Sequence, residues 1–379
     1  KLSSDEIALN LKLDPQARNQ WIVNGTLGTG WSDGTTTIYP SRASYTMPAG
    51  NVTLKAVWKQ GQWDGNAVKK PEIVDGYYQI STGAELAYFQ GSENRAMQKA
   101  KLMCDIDLGG HPFVPISNHL VELDGCGHTI RGLKTVKNGI YTGLFRDISS
   151  TATIQNLTIE NAEIENTSTN SDAQAGILVA NVYGDLTVKN CYVSGTITGT
   201  NAVRFAGGLI GHVHSAGSVK IESCYANPQV KKLTDGGFAG GLIGYAAGKA
   251  VIENSYAVVD MDVDHGTAIG GHGNSGSVTI SNSYATGEAL TKAYVTSSAA
   301  GISNNGSISN SVSIFPEMTS LNRIGVASNA SQNNFANNYG FGGMVAKKAN
   351  GTILTPSADE IGADKPYGED ASAEQLKDQ

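Results

Sequence analysis

The sequence predicts an all-β protein wound as a right-handed parallel β-helix solenoid, and three observations predict it. First, a short motif returns seven times: Gln155-Asn156-Leu157, Lys189-Asn190-Cys191-Tyr192, Glu222-Ser223-Cys224-Tyr225, Glu253-Asn254-Ser255-Tyr256, Ser281-Asn282-Ser283-Tyr284, Ser309-Asn310-Ser311 and Ala336-Asn337-Asn338-Tyr339. Its Asn or Ser positions are 34, 33, 31, 28, 28 and 27 residues apart, a range in which self-similarity marks stacked units. Second, each return is preceded by a short apolar alternation and, further upstream, by a glycine-hydrophobic cluster, as in Ala206-Gly207-Gly208-Leu209-Ile210-Gly211 followed by Ser218-Val219-Lys220-Ile221. Such three- to five-residue alternations, bounded by Gly, Asn and Ser, read as strands. Third, 46 glycines against 10 prolines suit a chain of many tight bends.

A unit of this size cannot bury its own apolar face, so successive units stack as parallel strands about 4.8 Å apart. Crossovers between parallel strands are right-handed. Equivalent residues then lie over one another. Val188, Ile221, Ile252, Ile280 and Ile308 form one inward column, and Cys191, Cys224, Ser255, Ser283 and Ser311 a second. Asn190, Ser223, Asn254, Asn282 and Asn310 occupy the bend between them, where stacked amides can hydrogen-bond from turn to turn. Tyr192, Tyr225, Tyr256 and Tyr284 form an aromatic column beside the bend. It is expected first to stabilise the stack and second to offer a binding surface.

Gly-Gly-Leu-Ile-Gly at 240–244, followed by Asn-Ser-Tyr-Ala at 254–257, is similar to the GLUG motif of bacterial surface adhesins and of the N-terminal regions of IgA-protease-like proteins. The lead-in from Gly76-Tyr77-Tyr78 through Leu123-Asp124-Gly125-Cys126-Gly127 to Gly143-Leu144-Phe145 resembles the opening of their β-helices. The resemblance implies a β-helix over 73–345. Upstream, Gly30-Trp31-Ser32-Asp33-Gly34 and the run Tyr45 to Trp58 resemble the second half of the Listeria-Bacteroides repeat of internalin-type proteins, which implies a small β-grasp-like module over 1–58. Residues 59–72 are expected to be a linker. Residues 346–379 turn polar and are expected to begin a further region.

Composition narrows the function. A net charge of −7 argues against nucleic acid or an anionic membrane as partner. No apolar run reaches membrane-spanning length. The chain opens on Lys without a signal segment, so export would depend on sequence outside it. Four cysteines are too few for a disulfide framework, and all are expected to be buried free thiols.

Chemistry has few candidates. In Asp260-Met261-Asp262-Val263-Asp264, period two sets Asp260, Asp262 and Asp264 on one face, with Lys231 beside Asp262 one turn away and Thr196, Gln229 and Glu288 in the column of Asp260. A solvated salt-bridging face explains the row, with calcium binding and catalysis as the alternative uses. His212, Tyr245 and His272 follow the glycine cluster in three successive repeats and are expected as a column of loop residues at one edge, with transition-metal binding as the alternative. There is no His-Glu-x-x-His, nucleophile elbow or phosphate loop. The expectation is therefore a non-enzymatic, extracellular, cell-surface or secreted adhesin-like protein. It would act as a monomer without cofactor, presenting a β-helix face to a host glycan or an extracellular matrix or cell-surface protein. Two alternatives stay open, a carbohydrate-active β-helix enzyme and a structural spacer.

Overall fold

The computed structural model describes the backbone at 22–23, 26–32, 38–39 and from 55 to 377, apart from 91–96, 118–119, 138, 200–202, 232, 234–235, 264, 274–277, 290–299, 305, 319–322, 326–333 and 348–350. Near the N-terminus, strands Ile22–Val23, Thr26–Ser32, Ile38–Tyr39 and Lys55–Gln60 form an antiparallel four-stranded sheet. The rest is a right-handed parallel β-solenoid of about seven turns.

One turn shows how the sequence builds it. Val203–Gly207 lies in a five-stranded sheet (sheet I), Ile210–Val213 in a four-stranded sheet (sheet II), Ser218–Glu222 in an eleven-stranded sheet (sheet III) and Tyr225–Lys231 in a second eleven-stranded sheet (sheet IV). The corner between sheets I and II is sharp. A Cβ on Gly207 would overlap the Ile210 carbonyl oxygen, and one on Gly208 the Gly241 carbonyl oxygen of the next turn. The paired glycines of the motif exist for this close approach.

The corner between sheets III and IV is the recurring Asn. Asn156, Asn190, Ser223, Asn254, Asn282, Asn310 and Asn337 all hold φ between 48° and 54°, the left-handed region that Asn tolerates best after glycine. Their amides form the expected ladder. Asn156 donates to Asp124 (3.0 Å), Asn190 to Asn156 (3.1 Å), Asn282 to Asn254 (3.2 Å), Asn310 to Asn282 (3.1 Å) and Asn337 to Asn310 (3.2 Å). Ser223, with a shorter side chain, interrupts it.

Val188, Ile221, Ile252, Ile280 and Ile308 pair directly from turn to turn and are all buried. Just past the bend, Ser255, Ser283 and Ser311 face inward and are fully satisfied. Each hydroxyl donates to the carbonyl two residues earlier, at 2.8–2.9 Å. Each also accepts the backbone N–H one turn back, from Cys224, Ser255 and Ser283 at 3.0, 3.3 and 3.4 Å. A hydroxyl that both donates and accepts can sit in a core at little cost. Cys191 and Cys224 occupy the same column as buried free thiols, but Cys104 is half-buried and Cys126 exposed. Cys126 departs from the expectation because it takes the left-handed bend itself, with φ 51°.

Both ends depart from the expected boundaries. In the stretch expected as linker, Trp63 is only 5% exposed, with its N–H bonded to the Asp107 carbonyl and its indole N–H to the Ala67 carbonyl. It covers the first turn together with a short helix, α1 (Gly83–Ala87), whose N-cap Thr82 accepts the Glu85 N–H while Glu85 accepts the Ser81 N–H. Residues Glu72–Val74 already form an edge strand of sheet III. At the other end, Glu369–Ala371 pairs in parallel with Tyr339–Phe341 as the last strand of sheet IV. The segment 346–379 is thus partly solenoid and not wholly a further region. Arg323, fully buried, fastens it by donating to the carbonyls of Tyr367 (2.6 Å), Gly368 (3.1 Å) and Phe341 (3.0 Å) and to the Asp370 carboxylate (2.9 Å).

Candidate binding face and aromatic seam

Sheet IV carries the longest strands, and its outer side is lined by columns of side chains set by the parallel register. Tyr192, Tyr225, Tyr256 and Tyr284 pair in register, with ring centroids 4.7, 4.2 and 4.6 Å apart and nearly parallel planes. Burial, then the neighbouring phenols, push the Tyr225 hydroxyl above its ordinary range. Face-to-face stacking consumes the ring faces between members. Tyr284, at the C-terminal end of the run, has no further ring stacked on it among the described residues and is 40% exposed.

Beside this ladder a bulge opens the sheet. The register shifts between Ile159 and Ala162, and Asn161 takes φ 53°. A groove of about 310 Å³ results, lined by Asn161, Glu163, Ser194, Thr196, Asn227 and Gln229. Hydroxyls and amides dominate it, and its one carboxylate, Glu163, is held by Lys134 at 2.8 Å. Such a surface can hydrogen-bond a polar ligand but lacks a positioned acid and base.

The aspartate row lies only partly within the described residues. Thr196, Gln229 and Asp260 share a column as expected, yet Asp260 pairs with Ala289 and not with the residue-288 position, because a second bulge follows Val259. Lys231 and Asp262 are register partners. The Asp262 side chain and all of Asp264 lie outside the described residues. Among the described residues, no group of three or more His, Cys, Asp or Glu side chains is gathered to hold a metal.

A second cluster was not foreseen in this form. His212, Tyr245 and His272 are neighbours in strand register and not a loop edge, in line with Asp147 and Asn181 of earlier turns. Phe205 and Phe238 of sheet I fold across them. Phe205 stacks on His212 at 4.8 Å and Tyr245 at 4.4 Å, and Phe238 lies 4.4 Å from His272 and 4.6 Å from His265. The correction has a physical cause. Sheets I and II meet so sharply that their outer side chains pack on each other, forming a seam outside the main core. A Phe or His recurring just before the glycine cluster, at 205, 238 and 265, was the available signal.

Burial holds His212 and His272 at a pKa of about 4. His214 and Arg204 push His212 further down while Asp172 opposes them, and His265 adds to the effect at His272. In the unfolded chain both titrate near 6.5. Between these values the unfolded state binds more protons, so stability is complete above about pH 6.5 and falls as pH drops toward 4. The expected loss is about 2 kcal/mol per histidine at pH 5 and about 3 kcal/mol at pH 4. Urea midpoints measured at pH 7.5 and 5.0 should differ, and a His212→Gln, His272→Gln double variant should flatten the difference. An unchanged midpoint would contradict the buried neutral imidazoles.

No family model matches the chain. Part of it is 30% identical over 151 residues to Halomucin of Haloquadratum walsbyi, an alignment covering 35% of this chain and 2% of Halomucin. A solved structure from Bacteroides ovatus, provisionally named an immunoglobulin A1 protease, is similar with a TM-score of 0.52 and 21% identity, over 82% of this chain and 89% of that one. The chain therefore shares the β-solenoid fold of the Bacteroides ovatus protein.

Proposed function

We propose that this chain is a non-enzymatic, adhesin-like rod of a cell-surface or secreted protein, presenting the outer face of sheet IV to a glycan or a surface protein. The observation that carries the reading is the groove at the sheet IV bulge, where Asn161, Ser194, Thr196, Asn227 and Gln229 line a hollow of about 310 Å³. Amides and hydroxyls in a rigid, repeating register suit an extended polar ligand, while a groove open to solvent gives little means of excluding water around a reacting bond. The resemblance of the repeats to GLUG-type surface adhesins supports the same placement outside the cell. Among the described residues, no helix is long and apolar enough to cross a membrane. The protease name of the Bacteroides ovatus protein is not carried over, because this sequence has no His-Glu-x-x-His.

The test is a glycan and matrix-protein array probed with the chain, alongside incubation with pectins, alginate and glycosaminoglycans. Saturable binding that weakens in Gln229→Ala or Asn227→Ala, without new unsaturated or reducing ends, is the expected result. Turnover of any of these polysaccharides would replace the adhesin reading with the enzyme.

A further inference from the structure

The tyrosine ladder has one vacancy. Tyr284 pairs with Val312, and Val312 pairs with Tyr339, so the column reads Tyr, Tyr, Tyr, Tyr, Val, Tyr. The shorter side chain leaves a hollow of about 350 Å³ where a fifth ring would stack. The open face of Tyr284 forms one wall, and Val312 and Ile314 line the hollow with it. Leu376, from the short turn Gln375–Lys377, lies across from the sheet as a further lining residue.

Resting on the sheet IV reading, we propose that this hollow is a subsite for one neutral hexopyranose ring of a glycan, stacked by its C–H face on Tyr284. Three features select that class. The rings of the ladder repeat every 4.2 to 4.7 Å and the hollow measures about 350 Å³, so the vacancy has room for a six-membered ring laid on Tyr284, puckered as a pyranose is. The face of Tyr284 is electron-rich and attracts C–H edges that carry slight positive charge.

The second feature is the rim. Asn282 donates one N–H to Asn254 and accepts from Asn310, and Asn310 donates one N–H to Asn282 and accepts from Asn337. Each amide has two N–H groups and two acceptor positions on its oxygen, so each keeps one of both for a ligand. Sugar hydroxyls, which donate and accept, match that pair; an aromatic side chain would leave it unused. The third feature is charge. The described lining contains no Asp, Glu, Lys, Arg or His, and the chain is acidic overall. A uronic or sulfated sugar would find no counter-charge there.

Val312→Tyr is the decisive variant, because it fills the vacancy with the chain's own ring and continues a stack the fold already builds. Saturation-transfer NMR is run with cellohexaose, chitohexaose and galactan oligomers as neutral probes, a polygalacturonate oligomer as the anionic probe and N-acetylphenylalaninamide as the aromatic one. We expect binding of a neutral oligosaccharide, strongest transfer to ring C–H protons, and at least about a ten-fold loss of affinity in Val312→Tyr. That variant should melt no lower than the parent, and Lys220→Ala, on the outer side of sheet III away from both hollows, should change the affinity less than about two-fold. Neutral sugar binding that survives Val312→Tyr but fails in Gln229→Ala overturns the subsite and leaves the sheet IV reading standing. Binding of only the anionic or aromatic probe also overturns it. If the array finds a protein ligand and no sugar, the subsite falls alone; if it finds nothing, the binding reading falls with it.

Discussion

Ile252→Asp is expected to destabilise the protein by more than about 4 kcal/mol, a large part of the stability of an ordinary fold. Ile252 is fully buried in sheet III between Ile221 and Ile280 of the adjacent turns. A carboxylate there has apolar neighbours above and below, and the nearby serine hydroxyls are already committed to backbone groups. It must either ionise without a partner or be protonated well above its ordinary range, and both cost free energy. Lys220→Ala supplies the contrast. Lys220 lies on the outer side of the same sheet, half-exposed, with Glu253 at 3.3 Å and Glu222 at 3.6 Å. Its loss should leave the denaturation midpoint close to the parent's. Denaturant melts with equal midpoints for the two variants would refute the inward and outward assignment of the strand.

Arg323→Met is expected to cost about 3 to 5 kcal/mol. The guanidinium is fully buried, its pKa is lowered by that burial, and it lies 3.9 Å over the Tyr367 ring. Methionine fills similar space but leaves the Phe341, Tyr367 and Gly368 carbonyls without their donor. Hydrogen exchange reads the effect locally. The Ile324 and Asn338 amides, bonded to the Pro366 and Ala363 carbonyls, should lose protection before the middle turns do. Asp370→Asn is the control. Asp370 is 53% exposed in its side chain, and the three carbonyl contacts survive, so about 1 kcal/mol is the expected loss. Equal exchange in the two variants would mean that the arginine does not fasten the final strand.

These two residues also mark what the sequence could and could not disclose. Ile252 was legible because a stacked strand repeats its inward position every turn, so apolar identity at one spacing suffices. The Asn corner was legible for the same reason, reinforced by a backbone conformation few residues accept. Arg323 was not, since its partners at 367, 368 and 370 belong to no repeat. Trp63 escaped likewise, reading as part of a linker when it closes the first turn. The shift from residue 288 to Ala289 needs the bulge after Val259, which a column alignment does not contain. The seam of Phe205, His212, Phe238, Tyr245 and His272 depends on two sheets meeting at a sharp corner. Its members were visible as a periodicity, but their mutual contact was not. The open face of Tyr284 followed from one substitution in a column, Val312 for Tyr, whose meaning required the neighbouring Leu376.

The Asn corner has a consequence for how such a molecule changes length. Between successive corners the chain shortens from 34 residues to 27, while the strands on either side stay paired from 152 to 341. The shorter turns carry shorter strands, which in sheet IV fall from nine residues at Thr158–Asn166 to three at Val312–Ile314, while the corners stay in register. Reach is therefore quantised. Duplicating or deleting one whole turn moves the two ends by about 4.8 Å and can rejoin amide to amide and ring to ring. Removing a single residue from a strand instead reverses which side chains face inward beyond it. Selection on reach can act in whole steps, leaving the binding columns in phase.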